Sequence, residues 1–598
     1  MSPIRVLSHF AFTVPSTSTT MHTNLTSQTL KRHRLTMLVL PMSALLLLAL
    51  SVFSFLTLTN HHPSLSLFTK RPTSHLHIHK RLQTQNAELQ CAGALYHDLC
   101  ISTLTRIVPD LTSRSLPEII SATVNETISD VRSTDFNVTN IRRKLPHLTV
   151  LEIRALEDCH TLFLETVSQL KSAVSDLSKS SSDKYNDLRT LLSAAMTNQE
   201  TCLDGFSGSK SEVKISRHFR KALKGISRQV SNSLALLKKI NGTSKGKSEY
   251  GKMSGGFPQW VKRSDRRLLQ TTVNETAYNL VVAQDGSGNF TTIGEALNAA
   301  PNSSATRFVI YIKAGAYYEY VEVINKKSKV MFVGDGIGKT LIKGNRNVVD
   351  GWTTFRSATV IAVGANFIAK GITFENYAGP SKHQAVALRS GSDFSVFYQC
   401  SFVAYQDTLY VHSLRQFYRE CDVYGTVDFV FGNAAVVFQK SNFYARQPDP
   451  KQKNIFTAQG RDDPNQNTGI SILECKIAAG SELIPNQSMF KSYLGRPWKE
   501  YSRTVILRSY IGDLIDPAGW LEWDGNFALS TLYYGEYTNR GPGSNTSARV
   551  TWPGYKPILN TTEASQFTVG NFIQGGEWLN DTGVPYYLDL QQNLTVLI

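Results

Sequence analysis

Three textures of apolar and polar residues succeed one another along the chain. Residues 37–59, MLVLPMSALLLLALSVFSFLTLT, are apolar or small and carry no charge. That length can span a bilayer as a helix. KRHR at 31–34 would stay on the cytoplasmic side, with 1–36 as a cytoplasmic tail. The segment reads as a signal anchor, a cleaved signal peptide being the alternative. In both cases 60–598 is exported, and the membrane is met only through this segment. Residues 60–85 are rich in Ser, His and Thr and read as a linker. Over 86–240 the texture is helical. In LEIRALEDCHTLFLETVSQLKSAVSDL, residues 151–177, apolar positions recur at intervals of three and four, and a four-helix bundle is the simplest result. NGTSKGKSEYGKMSGG lies in a basic linker over 241–269 that can bury little surface. From about 276 short Val/Ile/Phe/Tyr runs such as RFVIYIKAG and VMFVGDG alternate with Gly, Asn and Asp. This is strand-and-turn punctuation, and it fills a domain over 270–598.

Within that domain FYQCSFVAYQDTLYV at 397–411 aligns with YRECDVYGTVDFVFG at 418–432. Asp407 and Asp428 are 21 residues apart, as are Cys400 and Cys421, and Gln384 and Gln406 are 22 apart. A strand-rich repeat of this length predicts one turn of a stacked solenoid. A parallel β-helix accounts for it better than a sandwich, so the chain reads as mainly β with an all-α domain before it. Residues one coil apart then stack at about 4.8 Å, which gathers two carboxylates and two carboxamides into one patch. A pair of turn-capping aspartates is one reading. A glycosidase acid and nucleophile is another. An ester hydrolase with a carboxylate nucleophile is a third, and the glutamines favour it as uncharged donors to an oxyanion. Arg496 in LGRPW could hold one aspartate ionised, and Trp498 offers an apolar face to a sugar.

Charge narrows the partners. The formal net charge is +16, yet residues 270–598 carry 28 basic and 28 acidic groups, so the excess lies before residue 270. Nothing in this balance points to nucleic acid. All seven cysteines lie beyond residue 90, where an oxidising compartment lets them pair. Spacing favours Cys91–Cys100 and Cys159–Cys202. Cys400 and Cys421, one coil apart, could also bridge, leaving Cys475 without a partner. Many N-x-S/T sequons follow the apolar segment, Asn125, Asn241 and Asn486 among them. Arg266, Arg267, Leu268 and Leu269 on the basic linker suit a processing protease. GDGIGKT at 334–340 lacks the first glycine of a phosphate loop, because Val333 stands there. The histidines show no zinc spacing, and His412 has no nucleophile beside it.

GAYYE at 315–319, QAVALR at 384–389, YQDTLY at 405–410, GTVDFVFGNA at 425–434, FTAQGR at 456–461 and LGRPW at 494–498 occur in this order. In these blocks the chain resembles a plant pectin methylesterase with an N-terminal inhibitor-like pro-region, over about 86–598. The resemblance implies that Asp428 is the nucleophile on the C6 methyl ester of galacturonate. It makes Asp407 the proton donor and then base, and Gln406 with Gln384 the holder of the oxyanion. Arg496, Trp498 and Thr354 would contact the polysaccharide. It implies no cofactor or metal. Its partners would be methyl-esterified homogalacturonan, a subtilisin-like processing protease and separate inhibitor proteins, in the cell wall after a membrane-anchored stage. A pectin-binding or inhibitory protein without catalysis is one rival, and another β-helical pectin-degrading enzyme the second. Many relatives carry a cysteine where Ser441 stands here.

Overall fold

A computed structural model describes residues 74–144, 148–179, 184–207, 212–241, 253–254, 257–258 and 277–590. The apolar segment 37–59 and the processing motif at 266–269 lie outside the described residues. Among the described residues the N-terminal part holds six helices: α1 (Ser74–Cys91), α2 (His97–Ile107), α3 (Leu116–Lys144), α4 (Val150–Leu177), α5 (Tyr185–Asp204) and α6 (Glu212–Asn241). α4 starts where Thr149 accepts from the Glu152 amide at 3.3 Å and the Glu152 carboxylate accepts from the Thr149 amide at 2.8 Å. That reciprocal cap satisfies two otherwise orphaned donors. The stripe Ala155, Leu156, Leu162, Phe163, Leu170 and Ala173 is buried against its neighbours. α3 to α6 are the four long helices of the bundle. α1 begins inside the segment expected to be a linker. It is anchored at its far end by the Cys91–Cys100 disulfide and by Gln83 Nε2, which donates to the Val108 carbonyl at 2.8 Å. A Ser/His-rich composition hid a helix that gains its stability from this tertiary anchoring. Cys159–Cys202 ties α4 to α5.

From Leu280 onward three parallel sheets of eleven, eight and seven strands wind into a solenoid, one strand of each per coil. The central coils step by 21 residues: Leu388 pairs with Leu409 and Leu409 with Val430, while Ser401 pairs with Asp422. Elsewhere loops lengthen the step, as from Asn442 to Lys476. Inward positions stack into ladders. Phe397, Tyr418 and Phe438 lie face to face with centroids 4.7 and 4.6 Å apart. One end of the solenoid is covered by α7 (Ile293–Ala299), N-capped by Thr292. The helices over 561–582 pack Phe567, Val569, Ile573 and Trp578 on the outer face of the eleven-strand sheet.

The bridge considered between Cys400 and Cys421 is absent: Cys400, Cys421 and Cys475 are buried free thiols. In a parallel ladder their Cβ vectors run side by side into the core instead of toward each other, which is unsuited to a disulfide. Each thiol donates to a carbonyl instead, Cys400 to Ala369 at 3.4 Å and Cys421 to Phe397 at 3.3 Å. Ser441 occupies the same column. Its Oγ accepts from the Cys421 amide at 3.1 Å, and its own amide approaches Cys475 Sγ at 3.3 Å.

The bundle and the solenoid belong to one compact unit. Strand alternation produces their contact. Leu409, Val411 and Val430 point into the solenoid core, so Tyr410 and Phe431 point outward. Phe355, Tyr410, Phe431 and Ala458 join the hydrophobic core of the bundle, and Trp498 packs against it.

Candidate active site

Asp407 and Asp428 each stand two residues before a strand of the seven-strand sheet, Leu409–Val411 and Val430–Gly432. The register Leu409↔Val430 puts them on successive coils, and the Asp407 amide donates to the Val427 carbonyl at 3.0 Å. Both adopt left-handed backbone, with φ of 64° and 51°. The same conformation recurs at turns of other coils, at Gln399, Glu420 and Lys440, so it belongs to the way the solenoid turns. Both side chains are buried.

Arg496 reaches the pair from the strand Ser492–Pro497, across the intervening strand Asn454–Gln459 of the same sheet. Its Nε and Nη2 donate to the two oxygens of Asp428 at 2.8 and 2.6 Å, a fork-to-fork geometry with high orientational definition. The two acids differ as a result. Burial pushes the Asp407 carboxyl well above the ordinary range, the Asp428 charge pushes it further, and Arg496 opposes weakly. Burial also raises Asp428, but there Arg496 opposes through both its charge and its hydrogen bonds. Arg496 thus favours the ionised form of Asp428 more than that of Asp407.

Gln406 lines an open cleft of about 410 Å³ together with Arg496, Trp523, Val427, Lys451 and Lys453. Its carboxamide makes no hydrogen bond to another described residue. Gln384 is on the adjacent coil, where the Ala385 amide donates to the Gln406 carbonyl at 3.2 Å. Thr354 is half-buried in the loop that also carries Phe355, and its carbonyl accepts from Ser357 Oγ at 2.9 Å. Trp498 lies 5.9 Å from Phe431 and 6.5 Å from Tyr410 between ring centroids. Tyr410 and Phe431 stack at 4.2 Å, and His412 links Tyr410 to Phe355 at 5.2 and 5.4 Å. An aromatic strip thus runs from beside Thr354 to Trp498. Sequence reasoning missed Phe355, Tyr410, Phe431 and Trp523. The first three were hidden because their outward direction depends on strand register. Trp523, 4.3 Å from the Arg496 guanidinium, lies on a turn beyond the repeats. His412 is structural: burial holds it neutral, and its Nε2 meets Thr201 Oγ1 of the bundle at 3.0 Å.

A pectinesterase family model matches residues 279–576, and a plant invertase/pectin methylesterase inhibitor model matches 86–236. Pectinesterase 2 of Arabidopsis thaliana is 51% identical over 527 residues, covering 84% of this chain and 89% of that protein. The chain belongs to the pectinesterase family. Pectinesterase/pectinesterase inhibitor U1 of Solanum lycopersicum is 49% identical over 519 residues, 84% of this chain and 88% of its own. The solved pectin methylesterase from carrot is 60% identical, with a TM-score of 0.52, and the match covers 54% of this chain and 99% of the carrot one. The carrot chain is thus matched almost whole by about half of this one. As a pectinesterase the chain is a carboxylic ester hydrolase of cell-wall pectin, with an inhibitor-like helical domain ahead of its β-helix.

Proposed function

We propose that this pectinesterase removes C6 methyl esters from homogalacturonan through an acyl-aspartate on Asp428. The observation that carries the assignment is the bidentate Arg496–Asp428 pair beside a buried Asp407 whose carboxyl is pushed up by burial and by the Asp428 charge. The Asp428 carboxylate adds to the C6 carbonyl carbon, and the charge passes to the carbonyl oxygen. The Gln406 carboxamide, with Gln384 beside it, donates to that oxyanion. As the C–O bond to methoxy breaks, Asp407 gives its proton to the leaving oxygen and methanol departs. Asp407, now a carboxylate, takes a proton from water. The hydroxide adds to C6 of the anhydride, and the free galacturonic acid leaves with Asp428 restored. Arg496, Trp498 and Thr354 position the polymer. Every step runs on protein side chains and water.

The docked bundle covers the aromatic strip and leaves the cleft around Gln406 and Arg496 open. That supports reading the uncleaved chain as latent because the polymer's path is blocked. Residues 37–59 would hold this form at the membrane, and a subtilisin-like protease would release the enzyme to the wall at Arg266–Leu269. Separate inhibitor proteins would cover the freed strip in the same manner. The esterase reading is tested by methanol release from methylated pectin on the 270–598 fragment. Methanol without chain shortening is expected. Shortened or unsaturated products without methanol would instead assign a depolymerase.

A further inference from the structure

Carboxylates of the bundle occupy basic groups at both ends of the aromatic strip. At one end Asp158 of α4 accepts from Arg356 Nε and, at 2.5 Å, from Thr353 Oγ1. Arg356 follows Phe355 in the chain. At the other end Lys499 Nζ donates to Asp204 of α5 at 2.7 Å and meets Glu200 at 3.4 Å. Lys499 lies 5.2 Å from the Trp498 ring centroid. Asp462 of the solenoid also faces Lys499, but without an ion-pair contact. Lys499 and Arg356 thus take their ion-pair partners from the bundle. Departure of the bundle would take these partners from both cations and uncover the apolar strip between them. A new carboxylate seated with the same geometry would regain the charge-assisted hydrogen bonds that the bundle makes there.

We propose that Arg356 with Thr353, and separately Lys499, are carboxylate subsites that hold already de-esterified galacturonate residues of the pectin chain. The bundle carboxylates stand in for uronate groups, and the aromatic strip between them stacks the pyranose rings. This rests on the pectinesterase reading of the site. A methyl-esterified residue presents no charge to either cation, so each subsite separates acid from ester. The enzyme then favours chains that carry earlier demethylation, and its own product competes for the cleft.

The test uses the 270–598 fragment with hexagalacturonate as inhibitor and two substrates, fully methylated and half de-esterified pectin. Lys499→Gln and Arg356→Gln should each raise the inhibition constant of hexagalacturonate about tenfold, the order expected for one charge-assisted hydrogen bond. They should also lower the kcat/KM ratio of half de-esterified to fully methylated pectin. Lys499→Arg and Arg356→Lys, which keep the charge, should restore most of both. An unchanged inhibition constant, or an equal loss on the two substrates, would overturn the subsites. Absence of methanol from the unsubstituted fragment would instead overturn the esterase reading beneath them.

Discussion

At the scale of single residues, the site works because two identical acids are placed in unlike surroundings. Both are buried, yet only Asp428 has a guanidinium on both oxygens. The proposed mechanism needs Asp428 ionised and Asp407 protonated, so activity should fall at low pH as Asp428 gains a proton and at high pH as Asp407 loses one. Arg496 pulls the Asp428 pKa down against burial. Arg496→Lys replaces the planar fork by a point charge, so the acidic limb of the pH–rate profile should move to higher pH. The maximal rate should drop about 10–100-fold, in line with lost positioning. An acidic limb that stays in place would show that Arg496 does not govern the ionisation of Asp428. The aspartates themselves were legible in the sequence through their 21-residue spacing. Their difference was not legible in that spacing, because it depends on Arg496, 68 positions beyond Asp428.

At the scale of elements, the repeat was readable where coils are of equal length and unreadable where loops lengthen them. The step of 21 residues holds from Leu388 to Leu409 to Val430. Beyond that, insertions set the spacing, and one of them carries Lys451 and Lys453 to the cleft. Alternation along Leu409–Val411 could be seen in the sequence, but which face would be covered could not. Both faces of that strand are apolar, one against the solenoid core and one against the helices. The ladder through the core is the element that holds the aspartates in register. Tyr418 is fully buried between Phe397 and Phe438. Tyr418→Ala should cost about 3–5 kcal/mol in denaturant unfolding of the fragment, the range for deleting a buried aromatic. A loss under 1 kcal/mol would mean that the ladder is not a principal source of rigidity.

At the scale of the whole molecule, the helical domain is a cover whose fit depends on buried acids. Burial pushes Asp158 up to about 6, against Arg356, Thr353 and Arg389. Glu165 is pushed up to about 7 by burial, with Arg389 opposing and Glu322 adding. Asp204 is raised as well, by burial, with Lys499 opposing. Undocked, these carboxyls would meet water and return toward the ordinary range. The docked state thus binds protons more tightly, and docking should weaken as pH rises through about 6–7. After cleavage at Arg266–Leu269, the bundle should co-elute with the β-helix in gel filtration at pH 5 and separate at pH 8. Co-elution at both, or separation only at pH 5, would contradict this sign. A chain with Arg266→Ala and Arg267→Ala should remain uncleaved, and an unchanged secreted size would exclude that processing site. The division into a helical and a β-rich part was legible from texture alone. Their docking was not, since Asp158, Asp204, Arg356 and Lys499 are ordinary charged residues until the fold brings them together.

The central claim is that Asp428 is the nucleophile of a pectinesterase. Methanol release from fully methylated pectin should be measured on the 270–598 fragment and on its Asp428→Asn variant, with thermal unfolding followed on both. Release by the fragment, at least a thousandfold less by the variant, and a closely similar unfolding temperature are the predicted result. Retained release by a folded Asp428→Asn protein would contradict the account.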